Sequence, residues 1–302
     1  MITVSYLTVF SAPKPFTNPP IAVIQRNAIQ SWLGLGPDVE ALLVGEEPGM
    51  AEVAAEYGVR LLTDVLRTDT GTPLVNSIFA LARQASDSPF LAYVNGDILL
   101  LQDLLDATRQ IASQVNGPFL LIGQRWDLDV LDLLDFSHGW EMRLRTDVQA
   151  RGQLHRPAGS DYFVFPRSAF QEMPEFAIGR AGWDNWMIYH ARQQGWPVID
   201  GTPSVTIVHQ SHDYSHLPGG RPHYDHQESQ QNMAKAGGLA NMYMVLDADR
   251  QLKDGRIQRP PLTITRLVRR IERALMPKDG SLRGTRGAVT RRFRRMRRKL
   301  YG

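Results

Sequence analysis

Short apolar runs alternate with helical periods along the first 120 or so residues, and this alternation restricts the fold more than any other feature of the chain. Runs at 4–10, 41–44, 60–62, 90–94 and 119–122 have the length and continuity of buried strands. Between them, 21–33 repeats apolar residues at Ile21, Ile24, Ala28 and Trp32, 50–57 is rich in alanine and glutamate, 74–84 lines up Leu74, Ile78, Leu81 and Ala82, and 101–115 follows the run at 90–94. Strands alternating with helices predict an α/β domain with a largely parallel, Rossmann-like sheet. Ligands of such sheets bind beyond the C-terminal ends of the strands. The stretch 123–220 is richer in Gly, Pro, Trp and His, with further apolar runs at 162–165 and 205–208 and a helix over 184–194. It is expected to continue the same domain and to receive a second substrate. The expected organisation is a nucleotide half at about 1–122, an acceptor half at 123–250 and a tail at 251–302.

Three stretches carry residue types suited to chemistry. Asn95-Gly96-Asp97 sits where a buried strand gives way to a helix. A carboxylate there is either a metal ligand in the crevice, since magnesium and manganese prefer oxygen, or the cap of a turn. Gly182-Trp183-Asp184-Asn185 enters the helix at 184–194 and places Asp184 at the expected N-cap. A cap carboxylate at a pocket mouth can also accept a proton from a substrate hydroxyl, and Trp183 and Trp186 can stack on a sugar face or belong to the core. His209 follows the run at 205–208, and five of the eight histidines lie between 209 and 226. Their spacing does not match the His-Glu-x-x-His zinc helix, and there is no cysteine, which excludes thiolate metal sites and cysteine nucleophiles. Thr70–Asn76 opens a helix and can meet a phosphate, without the Walker pattern. Asp161, at the start of the run at 162–165, is either solvated or bound to an acceptor hydroxyl.

In their order these parts resemble a glycosyltransferase of the GT-A fold, in the broad family-2-like group, over about residues 1–250. Asn95-Gly96-Asp97 is similar to the Asp-x-Asp signature of that group, and Gly182-Trp183-Asp184-Asn185 to the Gly-Trp-Gly-Gly-Glu-Asp segment of galactosyltransferases. The resemblance implies a nucleotide-sugar donor, a carbohydrate or lipid-linked acceptor, and a divalent cation, manganese or magnesium, on Asp97 and His209. It implies that Asp184 is the base of an inverting transfer. It also implies that Ser11, Pro13, Glu46, Thr72, Asn76 and Asn95 hold the donor. Asn95 stands where the signature has its first aspartate, which lowers the charge of the site. A nucleotidyltransferase would share the sheet and the metal carboxylate, but residues 8–20 offer Lys14 and no glycine for a phosphate loop.

The net charge of +3 hides a partition. Residues 251–302 hold 17 Lys and Arg against 3 Asp and Glu, whereas 1–250 hold 17 against 28. Within the tail, Ile264, Leu267, Val268, Ile271 and Leu275, and then Val289, Phe293, Met296 and Leu300, recur at helical spacing among arginines. A basic amphipathic stretch over 262–300 fits an anionic membrane surface, a phosphate backbone or a solvated tail, and no nucleic-acid module accompanies it. The expected arrangement is a tail that locates the enzyme and can be deleted without loss of turnover. The N-terminus has no basic residue ahead of its apolar stretch, and no run reaches the 18–20 apolar residues of a membrane span. These features lead to the expectation of a cytoplasmic chain, peripheral on the inner face of the membrane if the tail binds lipid.

Overall fold

The computed structural model describes residues 4–211, 226–277, 280 and 282–301. Thirteen strands and nine helices are found among them: β1 (Leu7–Ser11), α1 (Pro19–Leu33), β2 (Val39–Val44), α2 (Met50–Tyr57), β3 (Arg60–Leu62), α3 (Val75–Ala85), β4 (Phe90–Val94), β5 (Ile98–Leu99), α4 (Asp103–Ala112), β6 (Leu120–Ile122), β7 (Trp126–Leu128), α5 (Trp140–Arg151), β8 (Gln153–Leu154), β9 (Tyr162–Pro166), α6 (Trp183–Gln193), β10 (Val198–Asp200), β11 (Val208–Gln210), α7 (Gln227–Lys235), β12 (Arg250–Lys253), β13 (Arg256–Gln258), α8 (Ile264–Leu275) and α9 (Gly284–Lys299).

Nine strands form one mixed sheet in the order β13-β12-β10-β6-β9-β4-β1-β2-β3. The interior strand β1 is buried along its whole length, whereas the edge strand β3 is partly exposed, as expected of a sheet covered on both faces. α1 begins where Asn18 accepts a hydrogen bond from the Ile21 N–H and Pro19 supplies a preset φ. β9 runs antiparallel to both β4 and β6, with Tyr162 beside Val94. Its first residues therefore lie at the same end of the sheet as the last residues of β1, β4 and β6. A second sheet, β5-β11-β7-β8, stands beside that end.

The C-terminal stretch departs from the sequence expectation. The boundary at 250/251 falls inside β12, which pairs in parallel with β10 and carries β13 as the sheet edge. Helix α8 then packs with Arg266 and Arg269 inward. Arg266 donates to the buried Asp200 at 2.7 Å and to the Leu246 carbonyl at 3.0 Å. Arg269, 2% exposed, meets Asp247 at 2.7 Å and the Met242 carbonyl at 2.8 Å. Glu272 is fully buried among Arg269, Arg294 and Arg297, which ties α9 to α8. The apolar residues at the start of the helix are turned outward, Ile264 at 71% exposure and Leu267 at 46%, with only Val268 and Met276 buried. The reason lies in the body: Asp200 and Asp247 are buried carboxylates, and leaving them without cations would cost more than exposing a few aliphatic side chains.

Candidate functional site

A cleft of about 800 Å³ opens at the C-terminal ends of β1 and β4. Its walls come from the turn after β1 (Pro13, Lys14), the turn after β4 (Asn95–Asp97), the lead into β9 (Ser160, Asp161) and the start of α6 (Trp183, Asp184). This is where an open α/β sheet holds its ligands.

The second sheet assembles one side of the cleft by register. β11 pairs antiparallel with β5, bringing His209 opposite Ile98, and parallel with β7, bringing His209 opposite Asp127. β7 pairs antiparallel with β8, after which His155 follows, and the His155 N–H donates to the Arg125 carbonyl at 2.8 Å. Residues directly opposite in neighbouring strands point to the same face, so His209 and Asp127 meet. The His209 ring spans two carboxylates, with Nδ1 at 3.0 Å from Asp127 Oδ1 and Nε2 at 3.7 Å from Asp97 Oδ2. The other oxygen of Asp127 takes His155 Nδ1 at 2.7 Å. Burial alone would push the Asp127 carboxyl up. The hydrogen bonds from His209 and His155 and the charge of Arg125 outweigh it and hold the group well below the usual carboxylate range. His209 thus lies inside a three-residue strand rather than after one, a position the apolar run at 205–208 did not indicate.

Arg125 links this side to the next. Its guanidinium donates to Asp127 at 2.8 Å and to Asp161 at 2.9 Å. Burial disfavours its charge, but Asp161, Asp127 and Asp97 more than restore it, so its pKa is raised. Asp161 also accepts from Asn95 Nδ2 at 2.8 Å, and its carbonyl accepts the Asn95 N–H. Asn95 is therefore held by Asp161, where a second aspartate would be repelled.

Asp184 lines the same cleft from the start of α6. The helix N-cap is Gly182, at φ +112°, a backbone that glycine adopts without strain, so Asp184 is the second residue of α6 and not its cap. Burial raises its pKa to about 6, helped by the nearby charge of Asp161 and opposed by the backbone N–H groups of Asn185, Gly182 and Asp184. Gly159 faces it, and a Cβ there would stand 2.8 Å from Asp184 Oδ2. The missing side chain is what leaves room for the carboxylate.

The outer lip is latched by Glu228 of α7. Its carboxylate accepts from the hydroxyls of Thr68 (2.9 Å), Thr70 and Thr72 (3.0 Å) and pairs with Arg180 at 2.7 Å. Burial would raise its pKa, but these partners lower it to about 2. Thr72 and Arg180 line the cleft from different halves of the domain, and Glu228 joins them.

Of the residues singled out in the sequence, Pro13, Thr72, Asn95, Asp97, Asp161, Trp183, Asp184 and His209 line this cleft, and four do not. Ser11 is fully buried in β1 and Asn76 sits half-buried on α3. Glu46 is largely exposed, 3.6 Å from Arg67, and its neighbour Glu47 faces the cleft instead. Trp186, one turn further along α6 than Trp183, packs on Phe176 and stacks on His190 and does not reach the cleft. Trp183 itself packs edge-on against Tyr93 and Phe79, with only its margin on the cleft. His212, His216 and His223 lie outside the described residues. Arg125, Asp127, His155, Gly159 and Glu228 were not indicated by any sequence pattern.

Among the described residues no group of three or more His, Asp or Glu side chains could hold a metal ion. Asp97 and His209 do fit a cation whose other ligands are not protein. Two bonds of about 2.1 Å reach across a gap of up to about 4.2 Å, and magnesium-like ions at phosphate sites commonly take one or two protein ligands plus phosphate and water. The observed gap is 3.7 Å.

No family model and no curated protein sequence matches the chain. Among solved structures the chain is similar to glucosyl-3-phosphoglycerate synthase from Mycobacterium tuberculosis in complex with Mn2+, uridine diphosphate and glucosyl-3-phosphoglycerate, with 14% identity, a TM-score of 0.49 and coverage of 86% of this chain and 88% of that one. It is also similar to a mannosyltransferase from Pyrobaculum calidifontis in complex with GDP-Man and Mn2+, with 11% identity, a TM-score of 0.43 and coverage of 80% and 72%.

Proposed function

We propose that the protein is a glycosyltransferase that moves a sugar from a nucleotide-sugar to an acceptor hydroxyl, with inversion at the anomeric carbon. One observation carries this reading. A single cleft is lined by both the Asp97–His209 pair and a carboxylate poised near pH 6. A general base works best when its pKa lies near the operating pH. In this reading Asp184 accepts the proton of the acceptor hydroxyl as that oxygen attacks the anomeric carbon and the diphosphate departs from the opposite side. Asp97 and His209 would hold the divalent cation, manganese or magnesium, which when bound supplies positive charge to the leaving diphosphate. Pro13, Asn95 and Thr72 face the donor. Asp161 stands between donor and acceptor, held in place by Asn95 and Arg125, and Trp183 offers a ring edge to the acceptor. Incubating the protein with a panel of nucleotide-sugars and acceptors is expected to release nucleoside diphosphate in a manganese-dependent, EDTA-sensitive reaction. Release of pyrophosphate would instead indicate a nucleotidyltransferase, and full turnover in EDTA would remove the metal from the proposal.

The acceptor is read as carbohydrate or lipid-linked, and the enzyme as cytoplasmic and peripheral on the inner face of the membrane. Support comes from the outer side of α8 and α9. Leu262, Ile264, Leu267, Val289, Met296 and Leu300 are exposed there. Arg291, Arg292, Arg295, Arg298 and Lys299 are exposed too and form no ion pair among the described residues. Apolar and cationic side chains on one element suit an anionic lipid surface, where each cation contributes about 1 kcal/mol. No helix among the described residues is long and apolar enough to cross a membrane. The full chain is expected to sediment with vesicles containing phosphatidylglycerol and not with pure phosphatidylcholine. Reversing Arg291, Arg292, Arg295 and Arg298 to glutamate should release it. Equal binding to both vesicles, or to neither, rejects the membrane reading.

A further inference from the structure

Asp127 lines no part of the cleft, yet it touches the side chain that does. We propose that Asp127 is a positioning residue, which holds His209 in the tautomer with the proton on Nδ1 so that Nε2 presents its lone pair toward Asp97. The proposal rests on the reading of Asp97 and His209 as the cation-binding pair.

Three observations lead to it. First, the strand register fixes the pairing: His209 lies directly opposite Asp127 in the β11–β7 ladder, so the contact does not depend on a flexible loop. Second, both carboxylate oxygens of Asp127 are engaged by donors. Oδ1 takes His209 Nδ1 at 3.0 Å and Arg125 Nε at 2.8 Å, and Oδ2 takes His155 Nδ1 at 2.7 Å. An ionised carboxylate only accepts hydrogen bonds, so each imidazole must donate through Nδ1. A neutral imidazole with its proton on Nδ1 has its lone pair on Nε2. Third, Nε2 lies 3.7 Å from Asp97 Oδ2, longer than a hydrogen bond and short enough for one cation to touch both atoms. A histidine that binds metal through one nitrogen and donates to a carboxylate through the other is a recurrent arrangement, and loss of the carboxylate costs about 10- to 100-fold in metal affinity. His155 has a separate part in it. By occupying Oδ2 it restrains rotation of the carboxylate and keeps Oδ1 on His209.

Asp127→Leu is the discriminating substitution. A leucine side chain has similar size and accepts no hydrogen bond, so it cannot hold His209 through Nδ1–H. The first readout is the tautomer of His209 in the metal-free, 15N-labelled protein, observed by long-range proton–nitrogen NMR and assigned with His209→Gln. The wild-type protein is expected to show the Nδ1–H form, and Asp127→Leu a shift toward the Nε2–H form. The second readout is Mn2+ affinity by electron paramagnetic resonance, expected to fall about 10- to 100-fold in Asp127→Leu. A wild-type His209 protonated on Nε2 overturns the proposal without any variant, which covers the case of an Asp127→Leu protein that does not fold. An Asp127→Leu protein that keeps both the tautomer and an affinity within about twofold of wild type overturns it as well. Asp97→Ala separates the two levels. If that variant binds Mn2+ as wild type does, the cation-binding pair is misassigned, whereas the tautomer measurement still decides what Asp127 does to His209.

Discussion

Asp184→Asn is expected to lower kcat by about 10²- to 10⁴-fold, the usual contribution of a positioned general base, without lowering the stability of the protein at pH 8. The two halves of this result come from one feature. The residue is half-buried, and desolvation of its carboxyl raises the pKa from 3.8 to about 6. The folded state therefore holds that proton more tightly than the unfolded chain does. The stabilisation from protonated Asp184 is complete below pH 3.8 and is lost as pH rises through about 6. Above that, the folded protein carries an ionised group in a poorly solvated place, and asparagine removes the charge while still accepting from the backbone N–H groups. Melting temperature at pH 8 should be equal to or above that of wild type. The wild-type pH profile should follow the same group, with kcat/KM falling tenfold per unit below about pH 6 and level above it. A variant that turns over at the wild-type rate, or a wild-type profile flat down to pH 4, would take the base assignment away from Asp184.

Arg266→Ala is expected to destabilise the protein by about 3–5 kcal/mol, a fall in melting temperature of roughly 10 °C or more. Arg266 and Asp200 are both nearly fully buried, and the pair is 2.7 Å long. Removing the cation leaves a carboxylate at the end of β10 with only Thr202 for company, and burial already raises its pKa. The double change Arg266→Met with Asp200→Asn should recover most of the loss, because no uncompensated charge remains. Truncation after residue 261 removes this pair together with Arg269–Asp247 and should leave a chain that does not fold stably, contrary to the separable tail expected from charge alone. A melting temperature for Arg266→Ala within about 2 °C of wild type would show that α8 is not anchored in this way.

The parts of the fold that could be read in advance are those whose residues announce their surroundings locally. β1 to β4 and α1 to α3 are continuous apolar runs or regular apolar stripes, and both signals are local. Asp97, Asp161 and Asp184 could be found because each stands at the mouth of such an element. Trp126-Asp127-Leu128 and Gln153-Leu154 could not be. Strands of two or three residues have no period, and what makes Asp127 matter is a neighbour 82 residues away across a ladder. α5 was missed for a related reason: of its twelve residues only Leu144 and Val148 are buried, too few to mark a face. The tail was read with the right period but as a separable element, because nothing in its local pattern shows that Arg266 and Arg269 pair with carboxylates of the body. Its one clue was Glu272, a lone acid in an arginine-rich helix, now seen fully buried among three of those arginines.

The small sheet β5-β11-β7-β8 has a consequence for how this chain can change over time. Asp97, Asp127, His155 and His209 come from four distant stretches and meet only because four short strands align in one register. Loops between those strands can lengthen at little thermodynamic cost. A single residue inserted within Val208–Gln210 would instead carry His209 to the opposite face of its ladder, away from both aspartates. In descendants of this chain, length should vary freely between these strands and hardly at all within them, so strand length, more than residue identity, records whether the site has been kept.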